Sequence, residues 1–561
     1  MRKLVECVPN ISEGRDKAKI EAIASVVETV QGVKLLDIDP GSSTNRTVIT
    51  FVGEPDEVVE AAFRLIKKAA ELIDMRKHKG EHPRMGATDV CPFVPVSNVT
   101  MEECAALAHR LGQRVGAELG IPGYYYESAA MRPERKNLAV CRSGEYEGLD
   151  KLATDAGKPD FGPAEFNERA KQTGATAIGA RDFLVAYNIN LNTTSTRRAN
   201  SIAFDIREAG RIKKENGKNV LDANGEPVRI PGSLKAVKGI GWYIEEYGIA
   251  QLSLNLTNIN VTPVHIAFDE ACKRAQERGV RVTGSEVVGL LPKRVLLEAA
   301  DYFLRKQERS LGIHEEEKIK IAVKSLGLDD LAPFNPAAKV IEYMLEDKAS
   351  KKLIDMNLTS FANETSSESP APGGGSISAY VATLGVSLGA MVANLSSHKR
   401  GWDSRWEEFS DWAVKAMHYQ QQLLALVDED TNAFNKIMEA FGLPKGTDAE
   451  KAQRKQAIQA ATRYATEIPL RVAQLSCESM EVMQAMVEHG NPNSITDAGV
   501  GALCARAAVF GAVMNVKINA KDLEDKGFVE DVYRQCADLQ ARAEAIERAV
   551  RDRVESVIVG G

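Results

Sequence analysis

The chain has 561 residues, 44% of them hydrophobic, so it can form several domains with substantial cores. Its formal net charge of −7 gives no overall attraction to nucleic acids or anionic membranes, which disfavours both as partners. Eight cysteines without a CxxC pair are typical of reduced thiols in a cytoplasmic protein and encode no zinc knuckle.

The first part of the chain, 1–181, alternates between the spacing of strands and that of helices, which predicts an α/β subdomain. The apolar run in MRKLVECVPN is too short for a signal peptide and predicts the first strand instead. We expect strands at 4–8, 33–38, 47–52 and 90–94, and helices at 18–30, 55–73 and 101–119.

Two polar clusters interrupt this alternation at predicted strand ends. One contains Asn10, and the other contains Asp39, Asn45 and Arg46. Because loops at strand ends carry side chains into clefts, we expect these four residues to bind a substrate. Ordinary turn chemistry would explain any one of them equally well.

The stretch from His78 to Val96, HKGEHPRMGATDVCPFVPV, carries the strongest candidate for catalysis. Pro83 directly follows His82 and disfavours a helix there, so we expect His82 on an irregular loop that leads into a strand. An imidazole on such a loop can move protons near neutral pH. A histidine that only bonds its own loop, or a metal site of His78, His82 and Asp89, would produce the same pattern.

A glycine-bearing segment follows between Asp160 and Leu191. Its glycines would let backbone N–H groups approach a planar ligand closely, although connectors between domains have similar sequences. The candidate binding residues in this segment are Gly162, Pro163, Gly174, Ala175, Thr176 and Gly179.

The remaining chain predicts a second α/β subdomain at 182–328, a linker at 329–355 and an all-α domain at 356–561. The predicted fold class is therefore two α/β subdomains with mixed sheets followed by an all-α helical bundle of five to seven helices. A polar segment between Arg211 and Lys235 is expected to form an excursion hairpin. The uncharged stretch from Ile377 to Leu395 has the length of a membrane span, but its small residues and hydrophilic flanks favour a buried bundle helix.

Two features of the all-α part suggest a second site. Gly373, Gly374, Gly375 and Ser376 directly precede the uncharged helix, and their backbone can form a nest for a carboxylate or phosphate. Asp430 lies on a predicted helix whose core face is Leu423, Val427 and Phe434, which turns its carboxyl group inward. A buried carboxyl group can hold a proton near neutral pH, whereas an ordinary helix aspartate is a solvated surface charge.

Both halves also carry short motifs that resemble one enzyme family. In chain order these are LVECVPNISEG, DIDPGSSTNRTV, IDMRKHKGEHPRMGATDVCPF, NINL, GIGWY and PAPGGGS. Together they are similar to the motifs of the bifunctional formiminotransferase-cyclodeaminase family over nearly the whole chain.

The resemblance implies two successive reactions of histidine degradation on tetrahydrofolate, in its polyglutamylated form, without a metal. The front half would transfer a formimino group from N-formimino-L-glutamate, with His82 as acid and base. The helical half would cyclise 5-formiminotetrahydrofolate to 5,10-methenyltetrahydrofolate and release ammonia, with Asp430 implicated. The resemblance also implies folate contacts in the Gly162 to Gly174 segment and a homo-oligomer, an octamer.

Two other functions remain open on the sequence alone. A metal-dependent amidohydrolase would use His78, His82 and Asp89 as ligands. Alternatively, the helical half would only oligomerise a formiminotransferase and perform no chemistry.

Overall fold

The computed structural model describes residues 3–42, 45–80, 83–155, 157–345 and 352–560. The predicted catalytic histidine, His82, lies outside the described residues. The chain divides into two compact units, a front unit of Met1–Ala299 with Ala322–Glu346 and a rear unit of Ala300–Ile321 with Asp347–Gly561. This division assigns 300–321 to the helical unit. The sequence-based boundaries 1–181, 182–328, 329–355 and 356–561 stay a prediction.

The first region of the front unit is a mixed sheet covered by helices. Its elements are β1 (Leu4–Cys7), β2 (Asn10–Ile11), α1 (Lys17–Ala24), β3 (Lys34–Gly41), β4 (Arg46–Gly53), α2 (Pro55–Leu72), β5 (Thr88–Ser97), α3 (Met101–Leu119), β6 (Gly123–Glu127), α4 (Leu138–Cys141), α5 (Glu168–Thr173) and β7 (Thr176–Ala180). The seven strands run β1-β4-β2-β5-β7-β6, and β3 pairs with β4. β7 pairs in parallel with β5 and β6, whereas the β1, β2 and β3 pairs are antiparallel.

The second region of the front unit is built on a smaller sheet. Its elements are β8 (Val185–Leu191), α6 (Thr196–Ile206), β9 (Arg211–Ile212), β10 (Lys214–Glu215), β11 (Lys218–Asn219), β12 (Arg229–Ile230), β13 (Val237–Ile244), β14 (Ile249–Leu256), α7 (Val264–Gln276), β15 (Val282–Val288), α10 (Pro336–Lys339) and α11 (Ile341–Leu345). Two helices between β15 and α10, namely α8 (Lys293–Lys306) and α9 (Glu315–Leu326), are divided between the two units, because residues 300–321 belong to the rear unit. The sheet order is β13-β14-β8-β15, and every pair is antiparallel. The short strands β9 to β12 form the expected excursion. The predicted α/β class is confirmed, but only the first of the two sheets is mixed.

Side-chain alternation gives the first sheet two different faces. Val5, Cys7, Ile49, Phe51 and Phe93 point toward the helices and belong to a fully buried core. The intervening residues, among them Glu6, Arg46, Val48, Thr50 and Pro92, line a cavity on the opposite face. The sheet therefore has one face that contributes stability and one that is free to bind a substrate.

Among the described residues after the linker, the rear unit contains six α-helices, in agreement with the predicted all-α bundle. They are α12 (Leu358–Thr365), α13 (Gly374–Ser397), α14 (Trp406–Phe441), α15 (Asp448–His489), α16 (Ile495–Ala520) and α17 (Lys526–Gly560). Small residues of α13 and α16 allow close contact: Gly385 and Gly501 are so near that a Cβ on either would lie 2.7 Å from the other's carbonyl oxygen.

Two helices of the rear unit are long and apolar enough to cross a membrane by length and composition alone. They are Gly374–Ser397 and Pro492–Ala520, and 61% and 50% of their most apolar windows are buried. Side chains of both helices belong to the main apolar core of the bundle. We therefore interpret them as core helices of the rear unit.

Candidate active site

A cavity of about 1190 Å³ lies between the two sheets of the front unit. The first sheet contributes strand residues such as Asn10, Asp39 and Arg46, and the second contributes Ala186 and Lys238. This volume is large enough for a substrate with a fused ring system. The cavity is therefore the candidate active site of the front unit.

Three of the four residues predicted from the polar clusters line this cavity, namely Asn10, Asp39 and Arg46. Asn45 does not. It is buried and holds two loops together, because its Oδ1 accepts from the N–H of Gly14 at 2.9 Å and its Nδ2 donates to the carbonyl oxygen of Lys79 at 3.0 Å. Asn45 thus fixes the segment that leads toward residue 82.

Asp89, a candidate metal ligand, is fully buried and bonded within the protein. Its Oδ2 accepts hydrogen bonds from Arg46 Nη1 and Arg142 Nη2, and its Oδ1 accepts from the N–H of Met85 at 2.9 Å. Both carboxylate oxygens are thus committed to cationic or N–H donors. This bonding does not favour a role for Asp89 as a metal ligand.

His78 is half-buried beside the same loop. Its Nε2 lies 2.8 Å from the carbonyl oxygen of Asn45, and Arg84 Nε lies 3.4 Å from its Nδ1. Burial lowers the pKa of His78, although the Asn45 contact opposes the shift. The predicted catalytic residue, His82, has no described position, but the next residue, Pro83, lines the cavity.

Of the six carboxyl groups that line the cavity, the sequence analysis named only Asp39; Glu6 and Glu127 are two of those it missed. Glu6 on β1 is only 5% exposed, and burial raises its pKa to about 7 despite the positive charge of Arg181. Burial likewise raises the pKa of Glu127, again opposed by Arg181. The sequence could have identified Glu6, because it is a charged residue between two apolar residues, Val5 and Cys7, of a predicted strand. Successive side chains of a strand point to opposite faces, so Glu6 must face away from the core.

The glycine-bearing segment packs against its neighbours within the first sheet. Gly174 has φ +66°, and a Cβ there would lie 2.1 Å from the carbonyl oxygen of Met85. A Cβ on Gly179 would meet the ring of Tyr126 at 2.6 Å. None of the candidates Gly162, Pro163, Gly174, Ala175, Thr176 and Gly179 lines the described cavity. Close packing explains these glycines, and their contact with folate stays a prediction.

The rear unit brings together the two features that the sequence placed far apart. Asp430 Oδ2 accepts from the backbone N–H of Ser376 at 2.8 Å and from its Oγ at 3.0 Å. Ser376 lies in the first turn of helix α13, which follows Gly373. The backbone expected to bind an external anion therefore contacts a carboxylate of the chain itself, that of Asp430. Burial raises the pKa of Asp430, and the two Ser376 hydrogen bonds oppose the shift.

Two glycines make room for this contact. A Cβ on Gly375 would lie 2.1 Å from Asp430 Oδ1, and a Cβ on Gly374 would lie 3.0 Å from Asn515 Nδ2. Gly373 instead has open space around its Cβ position. Gly375 is therefore required for the approach of Asp430 to the helix start.

The helix that carries Asp430 differs from the expected pattern at one position. Leu423 and Val427 are fully buried, as expected, but Phe434 is 39% exposed, so its assignment to the core face is wrong. Ala433 takes that place and is 1% exposed. Helical spacing alone would place Phe434 on the face of Val427; Ala433 is buried instead because it packs in a separate small cluster with Ala465 and Ile468.

Comparison with known proteins covers both units. Family models match residues 4–181 (formiminotransferase domain, N-terminal subdomain), 186–346 (formiminotransferase domain) and 357–538 (formiminotransferase-cyclodeaminase). The chain is 45% identical over 531 residues to a formimidoyltransferase-cyclodeaminase of Gallus gallus, and the match covers 94% of each chain.

The chain belongs to the formiminotransferase-cyclodeaminase family. The resemblance found in the sequence motifs is thereby confirmed.

Two further relatives of this formiminotransferase-cyclodeaminase chain match only part of it. A glutamate formimidoyltransferase of Streptococcus pyogenes serotype M1 is 42% identical over 309 residues, which is 55% of this chain and 95% of that protein. A methenyltetrahydrofolate cyclohydrolase of Methylorubrum extorquens is 34% identical over 201 residues, which is 36% of this chain and 97% of that protein. Two parts of this chain therefore each match a shorter protein over nearly its full length, and the two shorter proteins have different enzyme names.

The comparisons do not support the alternative of a metal-dependent amidohydrolase for this formiminotransferase-cyclodeaminase. Among the described residues, no group of three or more His, Cys, Asp or Glu side chains is close enough to hold a metal ion. Of the proposed ligands, Asp89 is bonded to two arginines and His78 contacts a backbone carbonyl. His82, the third, is not among the described residues.

Proposed function

We propose that the front unit transfers the formimino group from N-formimino-L-glutamate to tetrahydrofolate, and that the rear unit cyclises the product to 5,10-methenyltetrahydrofolate with release of ammonia. The observation that carries this proposal is the contact of the half-buried Asp430 with Ser376 at the start of α13. A purely oligomerising helical half would have no need to hold a carboxyl group with a raised pKa at that place. The names of the three relatives support the same two activities.

The first reaction requires a group that both accepts and donates a proton. The N5 amine of tetrahydrofolate attacks the amidine carbon, and the bond from that carbon to the glutamate nitrogen then breaks. Since the glutamate nitrogen cannot leave as an anion, it must be protonated as the tetrahedral intermediate collapses. We assign this proton transfer to His82, a step typically worth roughly 10²- to 10⁴-fold. Its neighbour Pro83 lines the cavity, which supports the assignment.

The second reaction has the same requirement at a different nitrogen. N10 attacks the formimino carbon, the bond from that carbon to the terminal nitrogen breaks, and ammonia leaves after protonation. A carboxyl group whose pKa is raised by burial can supply this proton, and Asp430 is such a group. The N–H and Oγ of Ser376 would stabilise the carboxylate that remains and orient it.

Folate is the common co-substrate in this proposal, bound in its polyglutamylated form and without a metal. We propose that Asn10, Asp39 and Arg46 bind substrate in the front cavity. In the rear unit the proposed binding segment is Gly373 to Ser376, with Gly374 facing Asn515. Because the product of one unit is the substrate of the other, their fusion raises its local concentration.

We further propose a cytoplasmic homo-oligomer, an octamer as the family resemblance implies. The support lies in apolar side chains of the rear unit that are exposed in the single chain. On α13 these are Leu384, Met391 and Leu395, and on α16 they are Val500, Leu503, Met514 and Ile518. Apolar stripes of this kind typically pack against another subunit. The mass of the particle in solution, measured by light scattering, tests this assembly.

The assignment of His82 is tested by His82→Ala, with His78→Ala as the neighbouring control. We expect His82→Ala to slow formimino transfer by at least about 100-fold and to leave the cyclisation of supplied 5-formiminotetrahydrofolate unchanged. Release of glutamate measures the first reaction, and absorbance of the methenyl product measures the second. Formimino transfer at the wild-type rate in His82→Ala would show that another group moves the proton.

A further inference from the structure

Two arginines in the front cavity share one buried carboxylate and keep donors free. Arg46 Nη1 and Arg142 Nη2 both donate to Asp89 Oδ2. Arg46 Nε also donates to Asn10 Oδ1 at 3.1 Å, and Asn10 Nδ2 donates to the carbonyl oxygen of Val8 at 2.9 Å. The two guanidinium groups are therefore fixed in position before any ligand binds.

Both arginines line the cavity and keep guanidinium nitrogens that Asp89 does not bind; one of these, Arg142 Nε, is fully buried and has no acceptor among the described residues. Within the described part of the chain, Arg46 Nη2 and Arg142 Nη1 have no hydrogen-bond acceptor, and neither is among the fully buried polar atoms. Both residues line the cavity, although their side chains are only 10% and 16% exposed. Two open N–H donors on adjacent planar cations fit the two oxygens of one anion.

The charge balance favours a carboxylate over a dianionic phosphate. Asp89 neutralises one of the two arginines, so the pair keeps one net positive charge. Six carboxyl groups line the same cavity, against four cationic side chains: Glu6, Asp37, Asp39, Glu127, Glu145 and Asp182 against Arg46, Arg142, Arg181 and Lys238. The single net positive charge of the arginine pair matches one carboxylate, and the surplus of carboxyl groups around the pair disfavours a group with two negative charges on one centre.

We propose that Arg142, held beside Arg46 by Asp89, binds a carboxylate of the substrate and determines specificity for it. This inference rests on the proposed formimino transfer. The carboxylate can come from formiminoglutamate or from the glutamyl tail of the folate, since both present the same chemistry. Asp89 acts as a positioning residue, because its carboxylate accepts from both arginines and so orients them; Asn10 Oδ1 also orients Arg46, besides the contact with substrate proposed above.

The test compares Arg142→Gln with Arg132→Gln, a variant of an arginine outside the cavity that donates to the carbonyl oxygen of Asp155. For Arg142→Gln we expect the KM of one carboxylate substrate to rise by about 10- to 100-fold, as for the loss of a charged hydrogen bond, with kcat changed by less than about threefold. Arg132→Gln should leave both KM values unchanged. Arg142→Lys keeps the positive charge beside Asp89 but loses the planar guanidinium group with its paired N–H donors, so it should raise the same KM. This variant replaces Arg142→Gln in the test if Arg142→Gln does not fold.

The two sources of the carboxylate give different results. A rise in the KM of formiminoglutamate alone identifies the amino acid. A rise in the KM of tetrahydrofolate, with no change for tetrahydropteroate, which lacks the glutamyl tail, identifies the folate. Unchanged KM values in both Arg142 variants, or an equal rise for tetrahydrofolate and tetrahydropteroate, would overturn the proposal. A wild-type chain without formimino transfer would instead contradict the proposed function, before any variant is compared.

Discussion

Asp430 Oδ2 accepts two hydrogen bonds from Ser376, one from the backbone N–H at 2.8 Å and one from Oγ at 3.0 Å. The two residues are 54 positions apart in the sequence and lie on different helices. The contact places a half-buried carboxyl group at the positive end of a helix, where partial burial raises its pKa and the hydrogen bonds limit the rise. The contact therefore orients a carboxyl group whose pKa lies above its ordinary value.

The substitution Asp430→Asn is expected to stop cyclisation and spare formimino transfer. An amide cannot deliver the proton that ammonia needs to leave, so we expect a loss of at least about 100-fold in methenyl formation, measured by absorbance. Asp428→Asn is the matched control. Burial also raises the pKa of Asp428, on the same helix, but its Oδ1 accepts from the N–H of Leu353 and not from Ser376. Equal loss in both variants would argue for damage to the helix.

The substitution Ser376→Ala should shift the pH dependence of cyclisation. The Oγ hydrogen bond stabilises the ionised form of Asp430 and lowers its pKa, so its removal raises that pKa further above the ordinary value. Because the protonated form is the donor, the fall in activity on the alkaline side should move to higher pH. The control Ser378→Ala removes a hydroxyl group that donates to the carbonyl oxygen of Gly374 and not to Asp430. It should leave the alkaline fall in activity at the wild-type pH. A shift to lower pH in Ser376→Ala would contradict the assignment.

The substitution Gly375→Ala is expected to slow cyclisation by steric displacement of Asp430. The added Cβ would lie 2.1 Å from Asp430 Oδ1, so the carboxyl group must move away from the helix start. We expect a loss of at least about tenfold in cyclisation rate, since small misplacements at a reacting group are costly. Gly527→Ala, where the Cβ would meet only Asp525 Oδ1 at 3.6 Å, should retain the wild-type rate. A fully active Gly375→Ala variant would mean that Asp430 need not occupy this position.

The substitution Glu6→Gln should stabilise the protein at alkaline pH. The pKa of Glu6 rises from 4.5 to about 7 on folding, so the folded state binds the proton more tightly than the unfolded state. The stability that the neutral carboxyl allows is present below pH 4.5 and is lost as the pH rises through 7, in total about 3 kcal/mol. Denaturation of both proteins at pH 4 and pH 8 measures the difference. The wild type should lose that amount relative to Glu6→Gln, and a pH-independent difference would contradict the account.

Much of the fold follows from local patterns. The sequence predicts α3 at its observed bounds, Met101–Leu119, because Thr100 and Glu103 form a capping box and Gly120 ends the helix with φ +65°. The sequence correctly predicts the buried face of α14 at Leu423 and Val427 but not beyond them. Beyond Val427 the buried residue is Ala433, not Phe434, because packing partners and not hydrophobicity alone select the core position.

The site could be predicted only in parts. Local sequence identifies Asp430 and the Gly373 to Ser376 segment as separate candidates, but no local rule joins residues 54 positions apart. Arg142 is missed because its function depends on Asp89, which meets it only in the folded sheet. Conversely, Gly174 looks like a ligand-binding glycine in the sequence, whereas the structure explains it by contact with Met85.

The central claim is that one formimino carbon is processed in succession by the two units on a folate carrier. The most direct measurement is a coupled assay of the whole chain with formiminoglutamate and tetrahydrofolate in EDTA, which follows glutamate, ammonia and the methenyl product together. We predict one glutamate and one ammonia for each methenyl group formed, with no release of either when folate is omitted. Release of ammonia from formiminoglutamate in the absence of folate, or loss of all activity in EDTA, would contradict the account.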